Sequence, residues 1–363
     1  MVSAIQTGLR VVSFGECMLE LQGTAFGNLQ QSYGGDTLNT AVYMARLGSR
    51  RGLRVDYATA LGDDPLSAGM LQRWQAEGIG TGLVRQLPGR LPGLYLIDVD
   101  SNGERRFSYW RDQAAARAYF DVPEGSTPLE LQVGAIDALY FSGISLAILP
   151  AAGRSRLLKV AAQVRAQGGM VAFDNNYRPR LWASVEEARA AFTAATDAAT
   201  LALMTLDDEQ ALWSPTDAGT TAGTDAATNA GTNAGTSADT SADTNAGTTA
   251  DANAASTAAS TAEAQLQRTL ALPCPEVVVK RGALPTVVRC AGQPAVQVAT
   301  EPVLRVVDST AAGDSFAGAY IAFRLGGGTA VESAASGNRM AARVVQHRGA
   351  VIGLTSMADL MAR

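Results

Sequence analysis

The stretch 307–318 combines small residues, a carboxylate and the start of an apolar run with helical period. Small side chains at a turn between a strand and a helix let backbone N–H groups approach a ligand closely, and the helix dipole favours an anion there. Asp314 would lie in the first turn of that helix, where it could take a proton beside a bound phosphate. The pattern therefore indicates phosphoryl transfer to a hydroxyl. The competing interpretation is an ordinary capped helix whose small residues serve packing.

A second turn with chemical potential runs from Gly34 to Asn39 and also precedes a helix pattern. Its two glycines, Gly34 and Gly35, bring backbone without side chains into a ligand space. Asp36 and Asn39 offer an acceptor and a mixed donor and acceptor to hydroxyl groups. The alternative is a helix that Asp36 or Thr37 caps.

Three further polar segments each follow a short apolar run. Segment 174–182 carries Asp, Asn and Arg residues around a proline, segment 205–209 is acidic, and segment 280–282 begins with a lysine. Ligands of α/β proteins bind at the carboxyl ends of strands, so the Asp, Asn and Arg residues of 174–182 could meet a sugar acid and a phosphate. The alternatives are a solvated loop at 174–182 and, at 205–209, acidic residues that stabilise a helix start.

Strand and helix patterns alternate along the chain, which predicts an α/β fold with a mostly parallel sheet covered on both faces. The strand patterns lie at 9–20, 55–61, 138–141, 170–173, 201–205 and 277–279, and the helix patterns at 37–47, 65–77 and 154–167. Region 93–111 departs from this rhythm, because it has two alternating strands around an Asn-Gly turn at 101–104. With strand material from 19–33 it predicts a small second sheet. The alternative is an edge hairpin of the main sheet.

One low-complexity tract accounts for the net negative charge of the chain. Residues 216–262 are almost only Thr, Ala, Asp, Asn, Gly and Ser, with five aspartates and no basic residue. Such a segment buries too little apolar surface to offset its ordering entropy, so we predict a disordered insertion in a surface loop. A role as an interaction segment is the alternative. Outside the tract 29 basic residues balance 29 acidic ones, which predicts no nucleic-acid partner.

The amino-acid composition also limits the kinds of active site and the cellular location that are expected for this protein. A single histidine, His347, excludes a histidine-rich metal site and disfavours a Ser-His-Asp hydrolase. No apolar run reaches about 18 residues and no secretion pattern opens the chain, so neither a transmembrane helix nor export is expected. Three widely spaced cysteines indicate reduced thiols in a cytoplasmic protein.

The sequence Asp-Ser-Thr-Ala-Ala-Gly-Asp-Ser-Phe at 308–316 resembles the C-terminal signature of the ribokinase-like (PfkB) sugar kinases. Gly-Gly-Asp-x-x-Asn at 34–39 resembles their N-terminal sugar-binding signature, and the likeness extends over 10–354. It implies a ribokinase-like three-layer α/β/α sandwich with a mostly parallel central sheet. A small β-sheet lid, with strands within 19–33 and 93–111, would cover the sugar. The resemblance also implies ATP and Mg²⁺ as cofactors and a homo-oligomer formed through the lid.

Three motifs resemble the branch of this family that phosphorylates 2-keto-3-deoxygluconate. They are Gly-Glu-Cys-Met-Leu-Glu-Leu at 15–21, Leu-Pro-Gly-Leu-Tyr at 91–95 and Tyr-Trp-Arg at 109–111. The implied reaction is ATP-dependent phosphorylation of 2-dehydro-3-deoxy-D-gluconate at its C6 hydroxyl. Arg111 would read the carboxylate, and a neutral hexose would leave this arginine unpaired. Two alternatives stay open: a family kinase of a neutral sugar such as fructose, and a catalytically silent sugar-binding protein.

The resemblance also implies roles for single residues. Asp314 would be the catalytic base, and the backbone of Ala311, Ala312 and Gly313 would hold the transferring phosphate. The residues implied to bind the sugar acid are Gly34, Gly35, Asp36, Asn39, Tyr95, Tyr109, Arg111, Arg178 and Asp314. Those implied to contact the nucleotide are Asn176, Arg178, Lys280, Arg281, Gly282, Asp308, Thr310, Gly313 and Asn338. No metal ligand is assigned, because the family's Asn-x-x-Glu element has Thr205 in place of Asn, and direct ligation by Glu209 stays open.

Overall fold

The computed structural model describes residues 8–24, 26–99, 105–122, 124–213 and 261–361. The strands are β1 (Arg10–Phe14), β2 (Met18–Gly23), β3 (Leu29–Gly34), β4 (Arg54–Ala58), β5 (Ala60–Leu61), β6 (Arg85–Gln86), β7 (Leu94–Val99), β8 (Arg105–Trp110), β9 (Ala138–Ser142), β10 (Met170–Asp174), β11 (Leu201–Thr205), β12 (Glu276–Arg281), β13 (Leu284–Cys290) and β14 (Val296–Val298).

The helices are α1 (Asp36–Gly48), α2 (Pro65–Ala76), α3 (Pro128–Leu131), α4 (Gly143–Ile148), α5 (Ala151–Ala166), α6 (Val185–Ala198), α7 (Leu206–Trp213), α8 (described over 261–270), α9 (Ala312–Leu325), α10 (Ala330–Val344) and α11 (Ala358–Met361). Short 3₁₀ turns occur at Ser49–Arg51, Ala115–Ala118, Val133–Ala135, Pro179–Leu181 and Leu354–Met357.

The central sheet has eight strands in the order β14-β13-β12-β11-β10-β9-β1-β4. Neighbours from β12 to β4 run parallel, and β13 and β14 extend one edge in antiparallel fashion. The parallel strands are nearly continuous apolar runs, as a sheet covered on both faces requires. The predicted α/β architecture with a mostly parallel sheet is therefore confirmed.

Two hydrophobic cores lie on opposite faces of this sheet. Val11 of β1 packs in the core that contains Leu38 of α1 and Phe316 of α9. The next residue, Val12, packs in the core that contains Leu157 of α5 and Phe192 of α6. Because successive strand residues point to opposite faces, this alternation places a helical layer on each side of the sheet. Across the described ranges, no helix combines the length and the apolar character that a membrane span needs.

The predicted small sheet is present and has the order β3-β2-β7-β8. β2 pairs antiparallel with β3 and parallel with β7, and β7 pairs antiparallel with β8. The alternative of an edge hairpin of the main sheet is wrong, because β7 pairs with β2 and β8 pairs with β7 in a sheet separate from the main one. The predicted Asn-Gly turn at 101–104 lies outside the described residues. We call this four-stranded sheet the lid.

Two predicted strands are in fact pairs of strands. The pattern at 9–20 covers β1 and β2, which belong to different sheets and are separated by residues 15–17. The pattern at 55–61 covers β4 and β5, and β5 pairs with β6 in a separate two-stranded sheet. Most of the predicted insertion at 216–262 lies outside the described residues, and its last two residues belong to α8.

Candidate active site

Helix α9 begins at a strained turn next to the end of β12. Its N-cap is Ala311, in a left-handed conformation with a φ of 59°, and no side chain of the described residues caps the helix. The first-turn N–H groups of Gly313 and Asp314 have no partner inside the helix, so they are available to an anion. The alternative of a side-chain cap is therefore wrong, although small residues further along α9, such as Ala317 and Ala319, do serve packing.

The carboxylate of Asp314 is embedded among other polar groups. Asn39 Nδ2 donates to Asp314 Oδ2 at 2.9 Å. Loss of water around this carboxylate, aided by the negative charges of Asp36 and Asp174, raises the pKa of Asp314 to about 7. The hydrogen bond from Asn39 and the charge of Lys280 act in the opposite direction. A carboxylate that titrates near neutral pH suits a general base.

The glycine turn before α1 brings the first motif against the strand ends. A Cβ at Gly35 would lie 2.2 Å from the carbonyl oxygen of Glu16, so this close approach requires glycine. Asp36 Oδ2 accepts a hydrogen bond of 2.7 Å from Asn176 Nδ2, and Asn176 has a left-handed φ of 25°. No described side chain caps α1, so the alternative that Asp36 or Thr37 caps this helix is wrong.

A buried ion pair joins β10 to β12 across the end of β11. Lys280 Nζ donates to Asp174 Oδ2 at 2.7 Å, and the two side chains are only 11% and 6% exposed. Burial raises the pKa of Asp174, and the charge of Lys280 opposes that rise. The same ammonium nitrogen is 3.6 Å from the position that a Cβ at Gly313 would occupy. The pair therefore lies beside the first turn of α9.

Two of the three acidic residues at the start of α7, Asp208 and Glu209, have different partners. Glu209 is buried, accepts from Asn175 Nδ2 at 3.2 Å and lies 3.9 Å from Arg268 of α8. Asp208 accepts from the N–H of Tyr177 at 3.2 Å and from Arg178 at 3.4 Å.

The environment of Asp208 places it near the buried pair. Burial raises the pKa of Asp208, the charges of Arg178 and Lys280 oppose the rise, and the charge of Asp174 adds to it. Asp208 therefore lies near the Lys280–Asp174 pair, and the side chain of Arg178 is 53% exposed beside it.

Two tyrosines of the lid stand over the glycine turn. The hydroxyl of Tyr95 donates to Glu20 and lies 3.0 Å from the position of a Cβ at Gly34. Burial and the charge of Glu20 raise the pKa of Tyr95 far above its ordinary value. The ring of Tyr109 packs against that of Tyr95, with 5.9 Å between centroids, and Tyr109 is 51% exposed.

Arg111 forms an ion pair that the sequence did not reveal. Its Nη2 donates to Glu16 Oε2, and the two side chains are 10% and 1% exposed. Burial raises the pKa of Glu16, and the charge of Arg111 opposes this. The argument that a neutral sugar would leave Arg111 unpaired therefore fails, because Glu16 already neutralises its charge.

Some of the residues that were predicted to contact the nucleotide stabilise turns of the protein itself. Asp308 accepts from the N–H groups of Thr310 and Gly349, both at 3.0 Å, and this organises the turn before α9. Gly282 has a left-handed φ of 59° in the turn after β12. Arg281 Nε donates to the carbonyl of Pro285 at 2.8 Å across the same turn.

The side-chain amide of Asn338 forms hydrogen bonds within the protein. Its amide nitrogen donates to the carbonyls of Val298 and Ala299, and its amide oxygen accepts from Thr286. These bonds join α10 to β13 and β14. They use both amide hydrogens, so the side chain has no N–H left for an adenine ring.

These contacts bring together much of the predicted site. Gly313, Asp314, Asn39, Asp36, Asn176 and Lys280 lie in one cluster. No hydrogen bond or ion pair among the described residues joins Arg281, Gly282 or Asn338 to that cluster. The sequence alone predicted no individual role for four acidic residues that border it: Glu16, Glu20, Asp174 and Asp208. Glu16, Asp174 and Asp208 lie at or within three residues of a strand end, which was the available signal, whereas Glu20 lies inside β2.

Comparison with known proteins agrees with this geometry. The family model described as pfkB family carbohydrate kinase matches residues 9–357. A 2-dehydro-3-deoxygluconokinase of Dickeya dadantii is 40% identical over 97% of this chain and 99% of its own. The enzyme of the same name from Escherichia coli K12 is 39% identical over 96% of this chain and 98% of its own. A structure of a putative ribokinase II from E. coli with ATP and Mg²⁺ has a TM-score of 0.71 at 19% identity, covering 98% of this chain and 99% of that one.

The family assignment rests on two findings. The family model spans nearly the whole chain, and the relatives are about 40% identical over almost their full length. The structural likeness adds the fold, which is ribokinase-like. Together with a carboxylate at the free end of α9, these findings show that the chain belongs to the pfkB family of carbohydrate kinases.

Proposed function

We infer that this chain phosphorylates 2-dehydro-3-deoxy-D-gluconate at its C6 hydroxyl, with ATP as the donor. The products are 2-dehydro-3-deoxy-6-phosphogluconate and ADP. The observation that carries this inference is the 40% identity to a 2-dehydro-3-deoxygluconokinase over 97% of the chain. Retention of Asp314 and its open helix end argues against a silent sugar-binding protein, because binding alone needs no base.

The reaction follows from the arrangement around α9. Asp314 accepts the proton of the C6 hydroxyl, and the resulting oxygen forms a bond to the γ-phosphorus of ATP. The bond from that phosphorus to the bridging oxygen breaks, and its electron pair leaves with ADP. The N–H groups of Gly313 and Asp314 donate to the transferring phosphoryl oxygens, where negative charge is spread in the transition state.

We propose Mg²⁺ as the cation that accompanies ATP, where it neutralises phosphate charge. Among the described residues no cluster of three or more His, Cys, Asp or Glu side chains suits a metal ion. That fits Mg²⁺, which proteins usually hold with one or two carboxylates and the phosphates of the substrate. Asp208 is 21% exposed near the Lys280–Asp174 pair and is the carboxylate that we assign to this role.

The acid group of the sugar is proposed to meet Arg178 and Arg111. Arg178 is the more exposed of the two, and its only described anionic partner, Asp208, is 3.4 Å away. Arg111 is held by Glu16, so it contributes a partly neutralised cation. A neutral sugar such as fructose remains the second candidate substrate, because the pairing of Arg111 removes one reason to require an acid.

The deciding experiment compares ATP-dependent phosphorylation of the keto acid, fructose and ribose, with Asp314→Ala as the control. We expect turnover of the keto acid in preference to both neutral sugars and its loss in the variant. Preference for fructose would select the second candidate. Sugar binding without turnover of any of the three would favour the silent protein.

We further propose that the lid forms a contact between copies of this chain in the cytoplasm. Trp110 and Leu29 of the lid are 59% and 44% exposed, and large apolar side chains on a sheet favour burial by a partner. The molar mass in solution, measured for the chain and for Trp110→Glu, tests the contact. A monomer in both cases would refute it.

A further inference from the structure

Lys280 stands out as a buried cation at the turn where the phosphoryl group would be transferred. The chain contains two lysines, Lys159 and Lys280, against 27 arginines. Lys159 is exposed on α5, whereas Lys280 is 9% exposed at the end of β12. Its ammonium nitrogen lies 3.6 Å from the position of a Cβ at Gly313. The ammonium group therefore lies next to Gly313, on the side of the anion-binding turn where any other residue would carry its Cβ.

The hydrogen bonds of this ammonium group are incomplete. An ammonium group has three donors, and within the described residues the one acceptor found for Lys280 is Asp174 Oδ2 at 2.7 Å. A buried donor without an acceptor is unfavourable, so a ligand oxygen within reach of this ammonium would be stabilised by it. A phosphoryl oxygen held by the N–H of Gly313 would lie within reach of the same ammonium.

We propose that Lys280 is a catalytic residue that donates a hydrogen bond to the transferring phosphoryl group, and that Asp174 is the positioning residue that holds its ammonium there. This inference rests on the proposed kinase function and assigns Lys280 to the transition state, which is more specific than a nucleotide contact. Lys280 keeps its proton throughout, and Asp314 alone accepts the proton of the sugar hydroxyl.

The position of the pair explains why Asp174 is needed. Asp174 ends β10 and Lys280 lies near the end of β12, with β11 between them, so the ion pair spans two strand spacings. Lysine has a flexible four-carbon stem, and the bond to a carboxylate fixed at a strand end restricts where its ammonium can lie. An arginine would place a planar, larger group in a space bounded by Gly313.

The first test compares Lys280→Met with Lys159→Met, which removes the other lysine of the chain from an exposed position. Loss of one preorganised donor to a developing anion typically lowers kcat by about 10²–10³-fold. We therefore expect that loss in Lys280→Met, with the KM of the sugar and the affinity for ADP changed less than about threefold. ADP lacks the transferring group, so it reports binding without this contact. Lys159→Met should match the wild type.

A second set of variants separates this role from a purely structural ion pair. Lys280→Met leaves Asp174 as an unpaired buried charge, which destabilises a protein, so Asp174→Asn is added to it. We expect the double variant to recover the melting temperature while kcat stays as low as in Lys280→Met. Asp174→Asn alone should lower kcat at least tenfold in the wild type and less than about twofold in the Lys280→Met background.

The outcomes distinguish this inference from the proposed function. If the wild type phosphorylates none of the sugars, the proposed function fails and takes the inference with it. If the wild type is active and Lys280→Met retains kcat within tenfold, the inference alone is refuted. Equal losses of kcat and of ADP affinity would make Lys280 a binding residue. Independent, multiplicative effects of the two substitutions would refute the positioning role of Asp174.

Discussion

The pKa of Asp314 makes the stability of the free protein depend on pH in a predictable way. The carboxylate has a pKa of about 7 in the folded protein against an ordinary value of 3.8. The folded state therefore binds this proton more tightly than the unfolded state. The stability that the protonated group confers is present below about pH 4 and is lost as the pH rises towards about 7.

The magnitude follows from the size of the shift. A difference of about 3 pKa units corresponds to about 4 kcal/mol in the free energy of unfolding, at about 1.4 kcal/mol per unit. Part of this is already lost at pH 5. Between pH 5 and pH 8, Asp314 is expected to lower the free energy of unfolding by about 2–3 kcal/mol.

The assay is urea unfolding of the ligand-free protein and of Asp314→Asn at pH 5 and at pH 8. Asn cannot titrate, so the difference between the two proteins isolates this one carboxylate from the other acidic groups. We expect Asp314→Asn to gain about 2–3 kcal/mol in the free energy of unfolding relative to the wild type on going from pH 5 to pH 8. A constant difference at both values would show that Asp314 has an ordinary pKa and refute the reasoning.

The same pKa governs activity if Asp314 is the base. The pH dependence of kcat/KM reports groups of the free enzyme, so kcat/KM should rise with pH and level off above about pH 7. A flat profile from pH 5 to pH 8, measured with the sugar that is turned over, would contradict the assignment.

Three further outcomes are expected. Asp36→Asn removes a charge that raises the pKa of Asp314, so the rise of kcat/KM should move to lower pH, and an unmoved profile would contradict this. Glu16→Gln frees the charge of Arg111, so the ratio of kcat/KM for the keto acid to that for fructose should rise several-fold, and an unchanged ratio would show that Arg111 does not read the carboxylate. Deletion of 216–260 should leave kcat and the melting temperature unchanged, because that tract has almost no apolar side chains to pack, and a lost activity would assign it a role.

The fold could be predicted because its signals are local. Continuous apolar strands such as β11 and β12 indicate a sheet buried on both faces, and their alternation with helix patterns fixes the class. The division between β1 and β2 could not be predicted, because both are apolar strands and the chain changes sheets within residues 15–17. Sheet membership depends on the partner strand, which is distant in sequence.

The motifs of the site were predictable, whereas most of their pairings were not. Asn39 and Asp314 are 275 residues apart, and Arg111 and Glu16 are 95 apart. A sequence shows that a carboxylate follows a strand, but only the packed structure shows which cation or amide meets it. For this reason the sequence predicts that Arg111 binds a substrate carboxylate, whereas in the structure Arg111 is paired with the carboxylate of Glu16.

The distribution of partners explains why the shifted titration falls on Asp314. Asp36 and Asp174 are near enough to raise the pKa of Asp314, and each has a strong partner of its own, Asn176 at 2.7 Å and Lys280 at 2.7 Å. Asp314 has the neutral amide of Asn39 at 2.9 Å, while the one ammonium of the cluster is bonded to Asp174. Because burial and the charges of Asp36 and Asp174 outweigh the hydrogen bond from Asn39 and the charge of Lys280, the pKa of Asp314 is raised to about 7. That residue is the one placed at the open end of α9, where a base is required.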